Sequence, residues 1–209
     1  EESLSHNIVL AIYEDSKENM WICTDGGGLN LFNEKTGKFK RFRHNPDDEN
    51  SICGDFVLTV AEDKEGNIWV GTWGAGVTMF NPETDEYRHF VNDPEDPKSL
   101  ANNNVWKIFR DSNDNLWFAT YGGGLDLYDD RKKEFIHFVH DPEDENSVAY
   151  DKIHNINEDM DGFLWITSDG GGLSKMDPVT RKFTTYKKGN NEQSLSNSGV
   201  NCVYEDTRG

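Results

Sequence analysis

Four positions spaced 48 residues apart carry side chains whose chemistry changes while their surroundings repeat. They are Asp25, Trp73, Tyr121 and Asp169, and each stands directly before a glycine-containing triplet. Aromatic rings stack on flat apolar faces, and carboxylates accept hydrogen bonds from hydroxyl groups. We therefore predict that these positions ring a shallow funnel suited to a sugar. The alternative is that they are ordinary loop residues, although binding residues often lie on loops of a rigid scaffold.

A second column of variable residues lies in the first apolar segment of each repeat. Its members are Leu10, Leu58, Trp106, His154 and Asn201. We predict that Trp106 and His154 line a central channel and contact a ligand. In the competing interpretation Trp106 fills space and His154 is a structural hydrogen-bonding residue. The irregular spacing of apolar residues in this segment leaves the direction of these side chains open.

The sequence predicts no catalytic residue, no metal site and no cofactor. The motifs of serine hydrolases, zinc metalloproteases and P-loop proteins are absent. The Asp-rich segments, among them 47–49, 93–96 and 141–145, lack the full ligand set of a calcium loop and are typical of turns. The three cysteines, Cys23, Cys53 and Cys202, occupy different places in the repeat and suit packing. An active site assembled from distant loops remains an alternative.

The candidate residues belong to a sequence repeat of 48 residues. Each copy of the repeat is marked by a tryptophan at the same position. The markers are Trp21, Trp69, Trp117 and Trp165. Complete copies span 3–50, 51–98, 99–146 and 147–193, and a partial copy spans 194–209. Such a period is typical of propeller blades or solenoids.

Each copy contains four short apolar segments separated by turn residues, which predicts four antiparallel strands. In the first copy, segments Ile8–Tyr13 and Met20–Thr24 flank a turn that begins at Asp15, whose carboxylate can bond backbone N–H groups. The tryptophan of the second segment shares one face with a small residue, such as Cys23, so a neighbouring sheet can approach closely. We therefore predict an all-β fold made of four-stranded propeller blades.

Ring closure is uncertain from the sequence, because both ends of the chain carry the first segment of a blade. The fifth copy is expected to contribute one strand at Val200–Tyr204. Four complete blades arranged in an open arc would expose apolar flanks. We expect either a piece of a larger propeller or two copies that combine into one closed assembly.

The net charge of the chain argues against nucleic-acid and membrane-surface partners and identifies no other partner. The formal net charge of −18 repels nucleic-acid backbones and anionic lipid surfaces. No apolar run is long enough to span a bilayer, so no direct membrane contact of this segment is expected.

The repeats resemble those of the two-component regulator propeller family. The second copy shows the pattern most fully, with Glu62-Asp63, then Gly66-Asn67-Ile68-Trp69-Val70-Gly71-Thr72, and Asp93-Pro94-Glu95-Asp96 before Ser99-Leu100. The resemblance covers the whole chain. It implies a periplasmic or extracellular sensor segment of a membrane-anchored histidine kinase, non-catalytic in itself, that binds a glycan fragment or another partner.

Two alternatives to the sensor remain at this stage. The blades also resemble those of streptogramin lyase, although the repeat here is longer and a clear His and Glu catalytic set is lacking. The chain could instead serve only as a scaffold for homo-oligomerisation.

Overall fold

The computed structural model describes residues 3–191 and 194–206. These residues form sixteen strands in four antiparallel sheets, each a meander of four consecutive strands. Blade 1 contains β1 (Val9–Glu14), β2 (Met20–Thr24), β3 (Gly28–Asn33) and β4 (Lys38–Phe42). Blade 2 contains β5 (Val57–Glu62), β6 (Ile68–Thr72), β7 (Val77–Phe80) and β8 (Tyr87–Phe90). Blade 3 contains β9 (Val105–Arg110), β10 (Leu116–Thr120), β11 (Leu125–Asp129) and β12 (Glu134–Phe138). Blade 4 contains β13 (Ile153–Glu158), β14 (Leu164–Ser168), β15 (Gly172–Met176) and β16 (Phe183–Tyr186).

The predicted all-β propeller architecture is confirmed. The second predicted segment, Met20–Thr24, coincides with β2, and the first, Ile8–Tyr13, is shifted by one residue from β1. The first strands of successive blades lie next to one another, as expected around a propeller axis. The described residues include no helix with the length and apolar content that a bilayer crossing requires.

Every blade carries the same hydrogen bond between a buried aspartate and the marker tryptophan. In blade 3, Asp111 Oδ2 accepts from Trp117 Nε1 at 2.8 Å, while Oδ1 accepts from the backbone N–H groups of Asn113 and Asn115. The same indole bond, also 2.8 Å long, joins Asp15 to Trp21 and Asp63 to Trp69. One carboxylate thus shapes the β9–β10 turn and satisfies the only polar atom of a buried indole.

Blade 4 makes this bond with one change in its surroundings. Asp159 accepts from Trp165 Nε1 at 2.8 Å, but Phe163 stands where the other blades have asparagine. Lys175 replaces the asparagine amide, because its Nζ lies 3.0 Å from Asp159 Oδ2. Hydrogen bonds from Trp165, Phe163 and Lys175 outweigh the effect of burial and hold the pKa of Asp159 below its usual value.

The small residue that shares a face with the tryptophan makes room for the next blade. A Cβ atom added to Gly71 would lie 2.6 Å from Thr59 Cγ2 and 3.0 Å from Val105 Cγ1, and Val105 belongs to blade 3. Thr59 Oγ1 also accepts from the backbone N–H of Ile108 at 3.1 Å. The predicted close approach of neighbouring sheets is thus visible at the blade 2–blade 3 junction.

Carboxylates at the ends of the first strands join some neighbouring blades. Glu62 of blade 2 accepts from both the backbone N–H and the hydroxyl of Ser16 in blade 1, at 2.8 and 2.7 Å. Glu158 of blade 4 makes the same pair of bonds to Ser112 of blade 3, at 2.7 and 2.6 Å. We call this arrangement the carboxylate clasp. At the blade 2–blade 3 junction, Arg110 stands in place of the glutamate.

The predicted fifth-copy strand at Val200–Tyr204 is wrong. Residues 201–206 have no strand conformation, because no second strand is present among the described residues to complete a hairpin with them. The segment nevertheless docks on blade 4: Val200 N donates to Ser168 O at 3.1 Å, and Met160 N donates to Glu205 Oε2 at 2.7 Å. The last three residues of the predicted copy 194–209 lie outside the described residues.

One face of blade 1 is exposed where the equivalent faces of the other blades are covered. Val9 and Ile12 are 41% and 64% exposed. The residues at these two positions in the later blades, such as Val105 and Ile108, are almost fully buried against the preceding blade. An apolar strand face is therefore accessible on blade 1.

Replacing Asp111 by asparagine should destabilise the protein. The amide cannot accept hydrogen bonds at both of its positions, so a buried donor of the β9–β10 turn or of Trp117 loses its partner. We expect a loss of about 3 kcal/mol in the free energy of unfolding, measured by urea denaturation. The matched control is Asp114→Asn on the same turn, whose exposed carboxylate should contribute less than about 0.5 kcal/mol. Equal losses in the two variants would contradict the assigned role.

Removing the Glu62 side chain should weaken the contact between blades 1 and 2. Glu62→Ala leaves Ser16 without its two acceptors, and we expect a loss of about 2 kcal/mol in the free energy of unfolding. The equivalent residue Glu14 is exposed at the corresponding position of blade 1, so Glu14→Ala is the matched control and should have little effect. A double-mutant cycle with Ser16→Ala measures the coupling directly. Additive effects of the two changes would show that no clasp exists in solution.

Candidate functional site

The loop between the second and third strands presents the first variable column. The last glycine of the triplet, at or directly before the start of the third strand, has a positive φ and lies against the end of the fourth strand. At Gly76, φ is +82° and an added Cβ would lie 2.4 Å from the carbonyl oxygen of Phe90. Gly76 N also donates to Asn103 O of the connection to the next blade, at 3.0 Å. These constraints fix the loop backbone, so Trp73 is held in a defined place.

A β-bulge presents the second variable column. In blade 3, Val105 pairs with Thr120 and Lys107 pairs with Ala119, which leaves Trp106 as the extra residue. The same irregularity falls at His154 in blade 4, and at Leu10 and Leu58 in blades 1 and 2. A bulge redirects the side chain of the inserted residue. It therefore resolves the direction that the sequence left open.

The two columns meet in an aromatic cluster formed by Trp73, Trp106, Tyr121 and His154. The ring centroids of Trp73, Trp106 and Tyr121 are 5.6 Å apart in each of the three pairs. The imidazole of His154 stacks on Trp106 with a centroid distance of 4.9 Å and an interplanar angle of 13°. Blades 2, 3 and 4 each contribute at least one ring, so the cluster spans two blade junctions on one face.

Polar groups lie at the blade 4 side of the cluster. Tyr121 Oη donates to Asp169 Oδ2 at 2.8 Å, and this hydrogen bond is the main cause that raises the pKa of the Tyr121 phenol. The ammonium group of Lys152 lies 5.1 Å from the centroid of the Tyr121 ring. The site therefore combines exposed ring area with a carboxylate and an ammonium group.

Five of the six candidate residues are brought together in this way, and Asp25 lies apart. Its backbone bridges Phe56, which is 53% exposed, and its N–H donates to Ile8 O at 3.1 Å. Trp73 is 44% exposed and is the more accessible of the two tryptophans in the cluster. The variable loop positions thus form a strip, with the aromatic cluster toward blade 4 and Asp25 toward blade 1.

The sequence reasoning missed Lys152 and Lys107. Lys152 occupies the position directly before the first strand, where Ile8, Phe56 and Asn104 stand in the other blades. This is a third variable column and could have been recognised by the same 48-residue comparison. Lys107 directly follows the bulge residue of β9, and the position of the bulge cannot be read from the sequence.

The described residues contain no group of His, Cys, Asp and Glu side chains arranged to hold a metal ion. Cys23 is buried in blade 1, and burial raises the pKa of its thiol. The aromatic face itself presents stacked rings with the Asp169 carboxylate and the Lys152 ammonium group beside Tyr121, which suits binding by ring stacking and hydrogen bonding.

Comparison with known proteins agrees with the architecture. The family model for the two-component regulator propeller matches residues 3–26, 51–74 and 99–122. No curated protein matches the chain. The chain is similar in structure to the extracellular domain of the hybrid two component system BT3049 from B. thetaiotaomicron, with a TM-score of 0.75 and 22% identity over 98% of this chain and 32% of that one.

Two further solved structures share the fold at lower identity. PorZ, a bacterial surface component of the type-IX secretion system of Porphyromonas gingivalis, has a TM-score of 0.66 and 17% identity over 93% of this chain and 29% of that one. Virginiamycin B lyase from Staphylococcus aureus has a TM-score of 0.61 and 16% identity over 89% of this chain and 57% of that one. The present chain spans about a third of the length of the BT3049 domain.

The family matches begin at the same point in each of the first three copies and include the tryptophan-bearing strand every time. The predicted family resemblance is thereby confirmed. Residues 3–26, 51–74 and 99–122 of the chain are two-component regulator propeller repeats.

Proposed function

We propose that this chain is a ligand-recognition segment of a two-component sensor, located in the periplasm or outside the cell, and that its aromatic face binds a glycan fragment. The observation that carries the proposal is the meeting of Trp73, Trp106, Tyr121 and His154, which come from three different blades. The repeat family and the similar extracellular domain support the sensor class and the location.

The energetic argument rests on exposed aromatic area. An aromatic ring that is nearly half exposed gains free energy when a ligand covers it, at about 25 cal/mol per Å² of apolar area removed from water. Trp73 offers this area at the edge of the cluster, and its contacts with Trp106 and Tyr121 hold the ring in place. A fixed ring loses little conformational entropy on binding. Asp169 and Lys152 beside Tyr121 supply acceptor and donor atoms for hydroxyl groups.

The lyase alternative has weaker support. The likeness to virginiamycin B lyase, at 16% identity, shows the fold alone. A catalytic interpretation would use His154. Its ring stacks on Trp106 and Tyr121, and it forms no hydrogen bond to a carboxylate of the described residues. This packing suits a binding surface better than a general base.

Trp73→Ala and Tyr121→Ala should weaken glycan binding while the fold remains intact. We expect about a tenfold loss of affinity or more in each variant, measured by calorimetry with oligosaccharides first identified on a glycan array. Circular dichroism and the unfolding midpoint should change little, because Trp73 is exposed. Trp117→Ala is the contrasting variant: its ring is buried, and its truncation should cost about 3 to 5 kcal/mol of stability. If all three changes only destabilised the protein, the aromatic face would not be a binding site.

A second candidate function, a scaffold that associates with a second copy, is favoured by the exposed face of blade 1. Ile12→Asp places a charge on this face and should shift the mass measured by light scattering toward the monomer. Val179→Asp introduces the same charge at an exposed turn of blade 4 and should leave the mass unchanged. A stable monomer of the unmodified chain at all concentrations would exclude this candidate.

A further inference from the structure

We propose that the ligand of the aromatic face carries an anionic group, as an acidic oligosaccharide does, and that Lys152 and Lys107 determine this specificity. The inference rests on the proposed function and adds the chemical class of the ligand. It is carried by Lys152, whose ammonium group lies over the Tyr121 ring, and by Lys107, which directly follows Trp106 in β9. Neither lysine forms an ion pair with a carboxylate in the described part of the chain.

Lys152 borders the cluster at Tyr121. Its Nζ lies over the Tyr121 ring, and no carboxylate of the described residues lies within ion-pair distance of it. The nearby Asp169 carboxylate instead accepts the Tyr121 hydroxyl. The other blades have no charged residue at the position of Lys152. Its cation is therefore specific to the blade that completes the cluster and is available to a ligand.

Lys107 directly follows the bulge residue Trp106 in β9 and pairs with Ala119 of β10. Burial lowers the pKa of Lys107, and the charged or titratable groups that act on it are the thiols of Cys23 and Cys202. The equivalent residues of the other blades, Ala11, Thr59 and Asn155, are uncharged. A partly desolvated cation without a counter-charge is unfavourable for folding, and a bound anion would offset this cost.

His154 supplies a third unpaired group. Its Nε2 atom is buried and has no hydrogen-bond partner among the described residues, although buried polar atoms are nearly always paired. The ring contacts both Trp106 and Tyr121, with centroid distances of 4.9 and 5.7 Å. A polar ligand group that reaches Nε2 would provide the missing partner.

The strongly negative net charge of the protein makes a local cationic site a specific indication of an anionic ligand. At a formal net charge of −18, the molecule repels anions in general, so an anionic ligand needs a local cationic site. Lys152, over the Tyr121 ring, and Lys107, next to Trp106 in β9, are the two cations that would form such a site. Carboxylate and sulfate groups share the required chemistry, because both accept charge-assisted hydrogen bonds from ammonium groups.

The test compares oligosaccharides of equal length with and without anionic groups. The probes are a galacturonate tetrasaccharide, its methyl-esterified neutral form, and a sulfated tetrasaccharide, titrated into the unmodified chain and the variants Lys107→Met, Lys152→Met and Lys35→Met. Lys35 lies on an exposed turn of blade 1 and controls for the change in net charge. We expect the acidic probes to bind at least about tenfold more tightly than the ester, an advantage that Lys107→Met and Lys152→Met each reduce about tenfold and Lys35→Met preserves.

Stability separates a binding role from a structural one. Lys107→Met should leave the melting temperature unchanged or raise it while anion binding falls, because the variant removes a desolvated charge. Preference for the sulfated over the carboxylated probe would support the proposal and identify sulfate as the group. Equal binding of acidic and neutral probes, both dependent on Trp73, would overturn the proposal and leave the proposed function standing. Binding of no probe in a Trp73-dependent manner would overturn both.

Discussion

The structure depends on a single carboxylate in each blade that serves a turn and a core at once. Asp63 accepts from the backbone of its turn with one oxygen and from the asparagine amide and the Trp69 indole with the other. The indole can be buried only because its N–H has this acceptor. A buried tryptophan in turn provides the surface on which the neighbouring blade packs, as Trp69 does with Phe118 and Tyr128 of blade 3. The turn, the hairpin and the blade junction therefore fail together if the aspartate is lost.

Much of this arrangement could be predicted from the sequence, because it repeats. The strand pattern and the turn that begins at the aspartate recur in every copy. Trp69 and the small Gly71 share a face of β6 because side chains alternate along a strand. The hydrogen bond from the Trp69 indole to Asp63 was not predicted. The two residues lie on different sides of a hairpin turn, and the sequence does not specify the register of that hairpin. The failed strand at Val200–Tyr204 has a related cause: a strand requires a partner, and strand propensity alone cannot supply one.

The candidate site could be predicted only in part. The variable positions were identifiable by comparison at a period of 48 residues, but their meeting depends on the bulge in the first strand. In a regular strand, Trp106 and Lys107 would point to opposite faces. The bulge breaks this rule and brings Trp106 to the loop residues of blades 2 and 3. Bulges are set by local pairing with the neighbouring strand, which no property of Trp106 itself reveals.

The aromatic cluster also bears on how the blades are held together. The clasp joins blades 1 and 2 through Glu62 and blades 3 and 4 through Glu158, whereas Arg110 replaces the glutamate between blades 2 and 3. Arg110 makes only a long contact of 3.5 Å to the Glu62 carbonyl there. On the opposite face of this same junction, Trp73 of blade 2 packs against Trp106 and Tyr121 of blade 3. A ligand on the aromatic face would therefore add contacts across the junction that lacks the clasp, so binding and the relative position of blades 2 and 3 are expected to be energetically coupled.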